Sequence, residues 1–159
     1  MDGISHSKDY ADLLRELNAE RVEYLVVGAH AVGYHGYIRS SDDFDVWIRR
    51  TPENAQRVFR ALGRFGAPMD MVKVDDFTSD DLIFQIGTKP FRIDIITSVS
   101  GLDFDDAWSR REPSTYLGEP NFVPGLEDLI ANKKASGRDK DLIDVRELRR
   151  INPAARELP

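Results

Sequence analysis

Two short apolar runs carry aspartates where a buried strand would carry aliphatic side chains, and no feature limits the fold of this 159-residue sequence more. The first begins Asp43-Phe44-Asp45-Val46 and leads an extended segment over Phe44 to Ile48. Side chains alternate along an extended chain, so both carboxylates point one way while Phe44 and Val46 point the other. Parallel carboxylates repel unless a cation lies between them, and hard divalent ions such as Mg²⁺ take carboxylate oxygens at about 2.0 to 2.1 Å. The competing account is an edge strand whose exposed acids protect it from aggregation. The second run is Phe91-Arg92-Ile93-Asp94-Ile95-Ile96, where Asp94 interrupts what otherwise reads as a strand buried on both faces. A buried, unpaired carboxylate is costly. Asp94 therefore requires a partner, either Arg92 on its own strand face or a metal shared with Asp43 and Asp45.

The remaining elements fall into place around these runs. Tyr10, Leu13, Leu14 and Leu17 form one helical stripe, predicting an amphipathic helix over Lys8 to Ala19 with Ser7 as its cap. Val22 to Val27 reads as a strand. Ala29 to Gly36 is a small-residue stretch opening a helix, and Thr51-Pro52 opens another with Ala55, Val58, Phe59 and Leu62 facing inward. Leu82 to Ile86 and Phe91 to Ile96, joined by Gly87-Thr88-Lys89-Pro90, predict an antiparallel hairpin. A short helix over Asp103 to Arg110 and an extended stretch over Thr115 to Val123, broken by Pro120, come next. Helices over Leu126 to Ser136, ended by Gly137, and from Asp139 or Lys140 to Leu148 complete the chain. The pattern predicts an α+β (α/β-like) fold with a mixed sheet flanked by helices. It reads as one domain over residues 1–159, with its core at about 22–100 and a C-terminal helical segment at about 125–151.

Composition excludes several chemistries. There is no cysteine, hence no disulfide scaffold, thiolate zinc site or cysteine nucleophile. The net charge of −6 argues against adhesion to nucleic acid through bulk charge, so any polyanion must be met by a local patch. Met1 to Ser7 lacks a secretory pattern and no apolar stretch has the length of a membrane span, which predicts a cytoplasmic protein with no membrane partner.

Three further features bear on function. Gly28-Ala29-His30-Ala31-Val32-Gly33 follows a strand and opens a helix, which points free backbone N–H groups at an anion such as phosphate; small residues also occur where a helix packs tightly on a sheet. Arg39, Ser40 and Ser41 precede the acids, placed either to touch phosphate or to cap local backbone. Lys133, Lys134, Arg138 and Lys140 surround a helix break, as a solvated face or as a cationic patch over a polyphosphate. His30 and His35 lack the spacing of a helical metal pair and read, with His6, as packing or surface residues.

With these residues in view, the chain resembles the nucleotidyltransferase fold superfamily, in particular small bacterial members related to the toxin component of abortive-infection-type toxin–antitoxin systems. EYLVVGAHAVGYHGYIRSSDDFDVWI is similar to that group's strand, glycine turn, helix and Arg-x-Ser/Thr-x-Asp-x-Asp signature, here Arg39, Ser41, Asp43 and Asp45. FRIDIITSV resembles the strand that supplies the third acid, Asp94, and EDLIANKKASGRDKDLIDVREL the C-terminal helical pair carrying Lys133, Arg138, Lys140, Asp141 and Asp144. The resemblance implies transfer of an NMP group from a nucleoside triphosphate to a hydroxyl of a protein, RNA (a tRNA end included) or small-molecule acceptor. Asp43, Asp45 and Asp94 would hold Mg²⁺ (or Mn²⁺), and Gly28, Ala29, Arg39, Ser41 and Lys133 would bind the nucleotide. It also implies a cognate antitoxin or toxin partner. Gly28-Ala29 departs from the group's usual Gly-Ser or Gly-Gly and removes one hydroxyl contact to phosphate, which predicts weaker triphosphate binding. The alternative is a catalytically inert binding or regulatory module of the same fold.

Overall fold

The computed structural model describes residues 2–157, with side chains described over 8–155. Helix α1 (Asp2–Ala19) leads into β1 (Tyr24–Val27), α2 (Ala29–Tyr34), β2 (Asp43–Ile48) and α3 (Pro52–Phe65). Two 3-10 turns at Met69–Met71 and Val74–Thr78 precede β3 (Ile83–Ile86) and β4 (Arg92–Ile96). Then come α4 (Phe104–Ser109), β5 (Glu112–Tyr116), β6 (Glu119–Val123), α5 (Leu126–Ser136), α6 (Asp139–Ile151) and a last 3-10 turn at Pro153–Glu157.

The main sheet runs β1-β2-β4-β3. β2 is antiparallel to β1 and parallel to β4, and β4 is antiparallel to β3, so the predicted mixed sheet and hairpin are both present. One face packs against α1 and α3. Leu13, Leu14 and Leu17 of the predicted stripe are fully buried there, with Phe44, Val46, Ile48, Ile93 and Ile95 from the sheet. Each such side chain contributes about 1.5 to 3 kcal/mol through burial. Tyr10 stacks on Phe44 at 4.6 Å between ring centroids. The other face is divided. Its lower half, Leu25, Val27 and Trp47, is covered by α4 through Ala107, Phe104 and Trp108. Its upper half carries the aspartates and faces a cavity.

Helix boundaries follow the expected signals. Thr51 caps α3 by accepting from Asn54 N, with Pro52 in the first turn, and Gly137 ends α5 in the left-handed conformation at φ 67°. Three expectations are corrected. Helix α1 starts at Asp2, so Ser7 and His6 lie inside it, since no proline before Lys8 stops the helix. Strand β1 starts at Tyr24, because Asn54 Oδ1 accepts the Glu23 N–H at 2.8 Å ahead of the ladder. Thr115 to Val123 is not one extended stretch but part of a hairpin, β5–β6, turning at Leu117 (φ 48°) and Gly118 (φ 83°). Leucine in the left-handed region is uncommon, which concealed the turn. Pro113 and Pro120 are tolerated because both strands of a two-stranded ribbon are edges.

Candidate active site

Strand register assembles the site. Asp45 lies beside Asp94 in the parallel β2–β4 ladder, Asp43 lies beside Arg92, and Val27 at the end of β1 lies beside Asp45. The predicted alternation holds: Phe44 and Val46 are buried on the core face, while Asp43, Asp45 and Asp94 share the other. One oxygen from each of the three carboxylates falls within a 4.8 Å cluster. Gly28, at φ 70°, follows β1 and passes so close that a Cβ there would stand 2.6 Å from Asp45 Oδ2. The sheet edge, the glycine turn and the acids thus form one wall of a cavity of about 650 Å³.

The residues expected to hold the metal or the nucleotide, Gly28, Ala29, Arg39, Ser41, Asp43, Asp45, Asp94 and Lys133, line this cavity with Arg138, Lys140 and Asp141, while Ser40, Lys134 and Asp144 are not in its lining. Their partners differ. Arg92 Nη2 donates to Asp43 Oδ2 at 3.2 Å and to Asp94 Oδ2 at 3.0 Å, and Arg92 Nε stands 2.8 Å from Asp94 Oδ1. That last contact is an ion pair without hydrogen-bond alignment, so Oδ1, though buried, accepts no hydrogen bond. Asp45 pairs with no cation among the described residues. Burial first, and then the charges of Asp43 and Asp94, push its pKa up to about 7. Burial likewise raises Asp94, against the opposing pull of Arg92.

The basic residues are held from behind. Arg39 grips Asp144 bidentately, Nε to Oδ1 at 2.9 Å and Nη2 to Oδ2 at 2.8 Å. Lys133 is 5% exposed and bridges Asp144 Oδ2 at 3.0 Å and Asp141 Oδ1 at 3.3 Å. Arg138 closes the network on Asp141, with Nε at 2.7 Å from Oδ2. Thus α5 and α6 are joined through a lattice of opposite charges, buried at Lys133, Asp141 and Asp144, that fixes Arg39 and Lys133 at the cavity wall. Ser41 Oγ donates to Asp43 Oδ1 at 3.1 Å and accepts from Asp43 N at 3.3 Å, the local capping that its sequence position allowed. Lys140 lines the cavity and is exposed. His30 and His35 are tied elsewhere: His30 Nε2 lies 3.2 Å from both Asn121 Oδ1 and Ser114 Oγ, and His35 Nε2 lies 2.8 Å from Pro124 O.

Sequence reading did not single out Ile83 and Gln85 of β3, Asn132 of α5, or the Ser98–Ser100 segment, all of which line the cavity. Period-2 alternation through Gln85, which pairs with Asp94, was the available signal. Among the described residues, no helix is long and apolar enough to cross a membrane.

The donor set suits a hard divalent cation. Three carboxylates converge, and Asp45, which pairs with no cation among the described residues, is an acid whose ionisation a cation would favour.

No protein-family model and no curated protein matches the sequence. Among solved structures, an antigenic nucleotidyltransferase-like protein from Paracoccidioides brasiliensis aligns over 94% of this chain and 76% of its own, with a TM-score of 0.54 and 15% identity. At that identity the likeness is one of fold: a mixed sheet with flanking helices like that of the nucleotidyltransferase-like protein.

Proposed function

Starting from a nucleotidyltransferase fold, we propose that the chain is a metal-dependent enzyme that moves an NMP group from a nucleoside triphosphate to an acceptor hydroxyl. The observation that carries this reading is the convergence of Asp43, Asp45 and Asp94 on one cavity wall, against a glycine that admits no side chain. Asp43, Asp45 and Asp94 would hold Mg²⁺ or Mn²⁺, which when bound offsets the charge of the phosphates and of the developing oxyanion.

The chain's own groups account for the rest. Gly28 and Ala29 bring backbone to the cavity beside Asp45, where a phosphate can approach without a side chain in the way. Arg39 and Lys133, fixed by Asp144 and Asp141, supply positive potential at that wall without freedom to wander. Asp94 would help to deprotonate the acceptor hydroxyl. The acceptor oxygen forms a bond to the α-phosphorus, the bond from that phosphorus to the bridging oxygen of the β-phosphate breaks, and pyrophosphate leaves with the electron pair. The acceptor is a hydroxyl of a protein, an RNA or a small molecule, and a toxin–antitoxin role with a cognate partner in the cytoplasm belongs to the same reading.

Thermal unfolding with Mg²⁺ and each nucleoside triphosphate tests the binding step. A ligand that binds only the folded state at 100 times its Kd stabilises it by about 2.7 kcal/mol. The proposal expects a rise in Tm that needs both nucleotide and metal and is absent in Asp43→Asn/Asp45→Asn. No rise with any nucleotide would favour the inert module.

A further inference from the structure

Among the described residues, Arg92 is the only cation in salt-bridge contact with Asp43 or Asp94. Register puts it there: it faces Asp43 across the β2–β4 ladder and precedes Asp94 by two on the same strand face. Its guanidinium engages Asp43 Oδ2 and both oxygens of Asp94. These are the groups from which the cation site is built. A divalent ion shared by Asp43 and Asp94 competes with a guanidinium on the same oxygens, because like charges a few ångströms apart repel strongly in a partly buried site. Arg92 lines the cavity, so its side chain has open space to turn into.

We infer that Arg92 is the resident counter-cation of the carboxylate triad, and that it must release Asp94 before a divalent ion can be shared there. This rests on the reading of Asp43, Asp45 and Asp94 as metal-holding residues, but not on the transfer reaction. In the resting site Arg92 holds Asp43 and Asp94 together and prevents their mutual repulsion from splaying the strands. Released, it remains tethered at the cavity wall, and a triphosphate's oxygens match its planar fork as well as a carboxylate does. Nucleotide therefore draws Arg92 off Asp94 and raises metal affinity. By reciprocity metal raises nucleotide affinity by the same factor. Arg92 is a positioning residue in this scheme: it decides when the triad opens.

The test is a titration of the full chain with Mn²⁺, followed by the electron paramagnetic resonance of the free ion. It compares wild type, Arg92→Gln, Arg92→Lys and Arg92→Gln/Asp94→Asn, first without nucleotide. Removing one unit charge at this distance should tighten Mn²⁺ binding by about tenfold or more in Arg92→Gln. Arg92→Lys, which keeps charge and loses the fork, should fall between, and the double variant should lose the gain. A triphosphate analogue with a non-cleavable α,β-methylene bridge should then tighten Mn²⁺ binding in wild type more than in Arg92→Gln. Equal or weaker Mn²⁺ binding by a folded Arg92→Gln, or a gain that survives Asp94→Asn, overturns the proposal. Should Arg92→Gln not fold by circular dichroism, Arg92→Lys decides by the same criterion. Tighter Mn²⁺ binding in Arg92→Gln, with no transfer by any variant, would keep Arg92 in this role and retire the nucleotidyltransferase reading instead.

Discussion

Gly28 and Asp45 are packed so closely that a single methyl group would not fit between them: a Cβ at Gly28 would lie 2.6 Å from Asp45 Oδ2. The backbone at Gly28 also has φ 70° and ψ −147°, close to a region essentially confined to glycine, where another residue costs about 1 to 3 kcal/mol. Gly28→Ala should therefore turn the Asp45 carboxylate away, weaken Mn²⁺ binding about tenfold and lower stability by about 1 to 3 kcal/mol. Gly33 in α2 is the matched control, since a Cβ there meets nothing within 4 Å, and Gly33→Ala should be neutral or stabilising by up to about 1 kcal/mol. Metal titration and thermal unfolding of both variants check the pair. Unchanged metal binding in Gly28→Ala would mean that Asp45 is not a ligand.

The raised pKa of Asp45 makes a prediction about pH. Burial, then Asp43 and Asp94, carry it from an ordinary 3.8 to about 7 in the folded protein. Between those values the folded state holds a proton that the unfolded state has lost. The contribution of this group to stability is thus full below about pH 4 and is lost as pH rises through about 7. Asp45→Asn removes that loss. At pH 8 and without metal it should be more stable than wild type by about 2 kcal/mol, or roughly 4 to 8 °C in Tm. The difference should shrink toward zero near pH 4. A destabilised Asp45→Asn at pH 8 would make this carboxylate structural.

The network behind the cavity titrates in the opposite sense. Burial alone would raise Asp144 and Asp141, but Arg39 and Lys133 on the first, and Arg138 and Lys133 on the second, hold both below the usual carboxylate range. Their contribution is present above the unfolded value, near 4, and is lost as pH falls through the folded values. Asp144→Asn leaves the buried Lys133 and the Arg39 fork short of their shared anion. It should cost about 3 kcal/mol in urea unfolding at pH 7 and far less below pH 3. Lys133→Ala should lose stability as well as triphosphate affinity, because its ammonium is a buried member of this network. Full stability with lost nucleotide binding would free Lys133 from the network.

Much of this site is written in local sequence, and the rest is not, for identifiable reasons. Asp43, Asp45 and Asp94 stand out because alternation along a strand is a local rule and acids violate the apolar pattern around them. Their meeting is not local. Parallel pairing of β2 with β4 joins residues 49 positions apart and leaves no mark in either segment, so Arg92 could be paired with Asp94 on its own strand but not with Asp43 across the ladder. The charges of Lys133 and Arg138 look solvated in sequence. In the fold α5 and α6 turn Asp141 and Asp144, three residues apart on one helical face, toward them. The β5–β6 hairpin escaped because its turn puts Leu117 where glycine or asparagine is expected.

The central claim, that these three carboxylates run nucleotidyl transfer, is tested most directly by incubating the purified chain with Mg²⁺ or Mn²⁺ and each α-phosphate-labelled nucleoside triphosphate, with cell extract supplying acceptors. The account predicts label in a macromolecule or small product with the wild-type chain, and at least about 10²-fold less with Asp43→Asn/Asp45→Asn. The size of the labelled product names the acceptor class. Equal labelling by the wild-type chain and the Asp43→Asn/Asp45→Asn variant, or no labelling with any nucleotide and either metal, would contradict it.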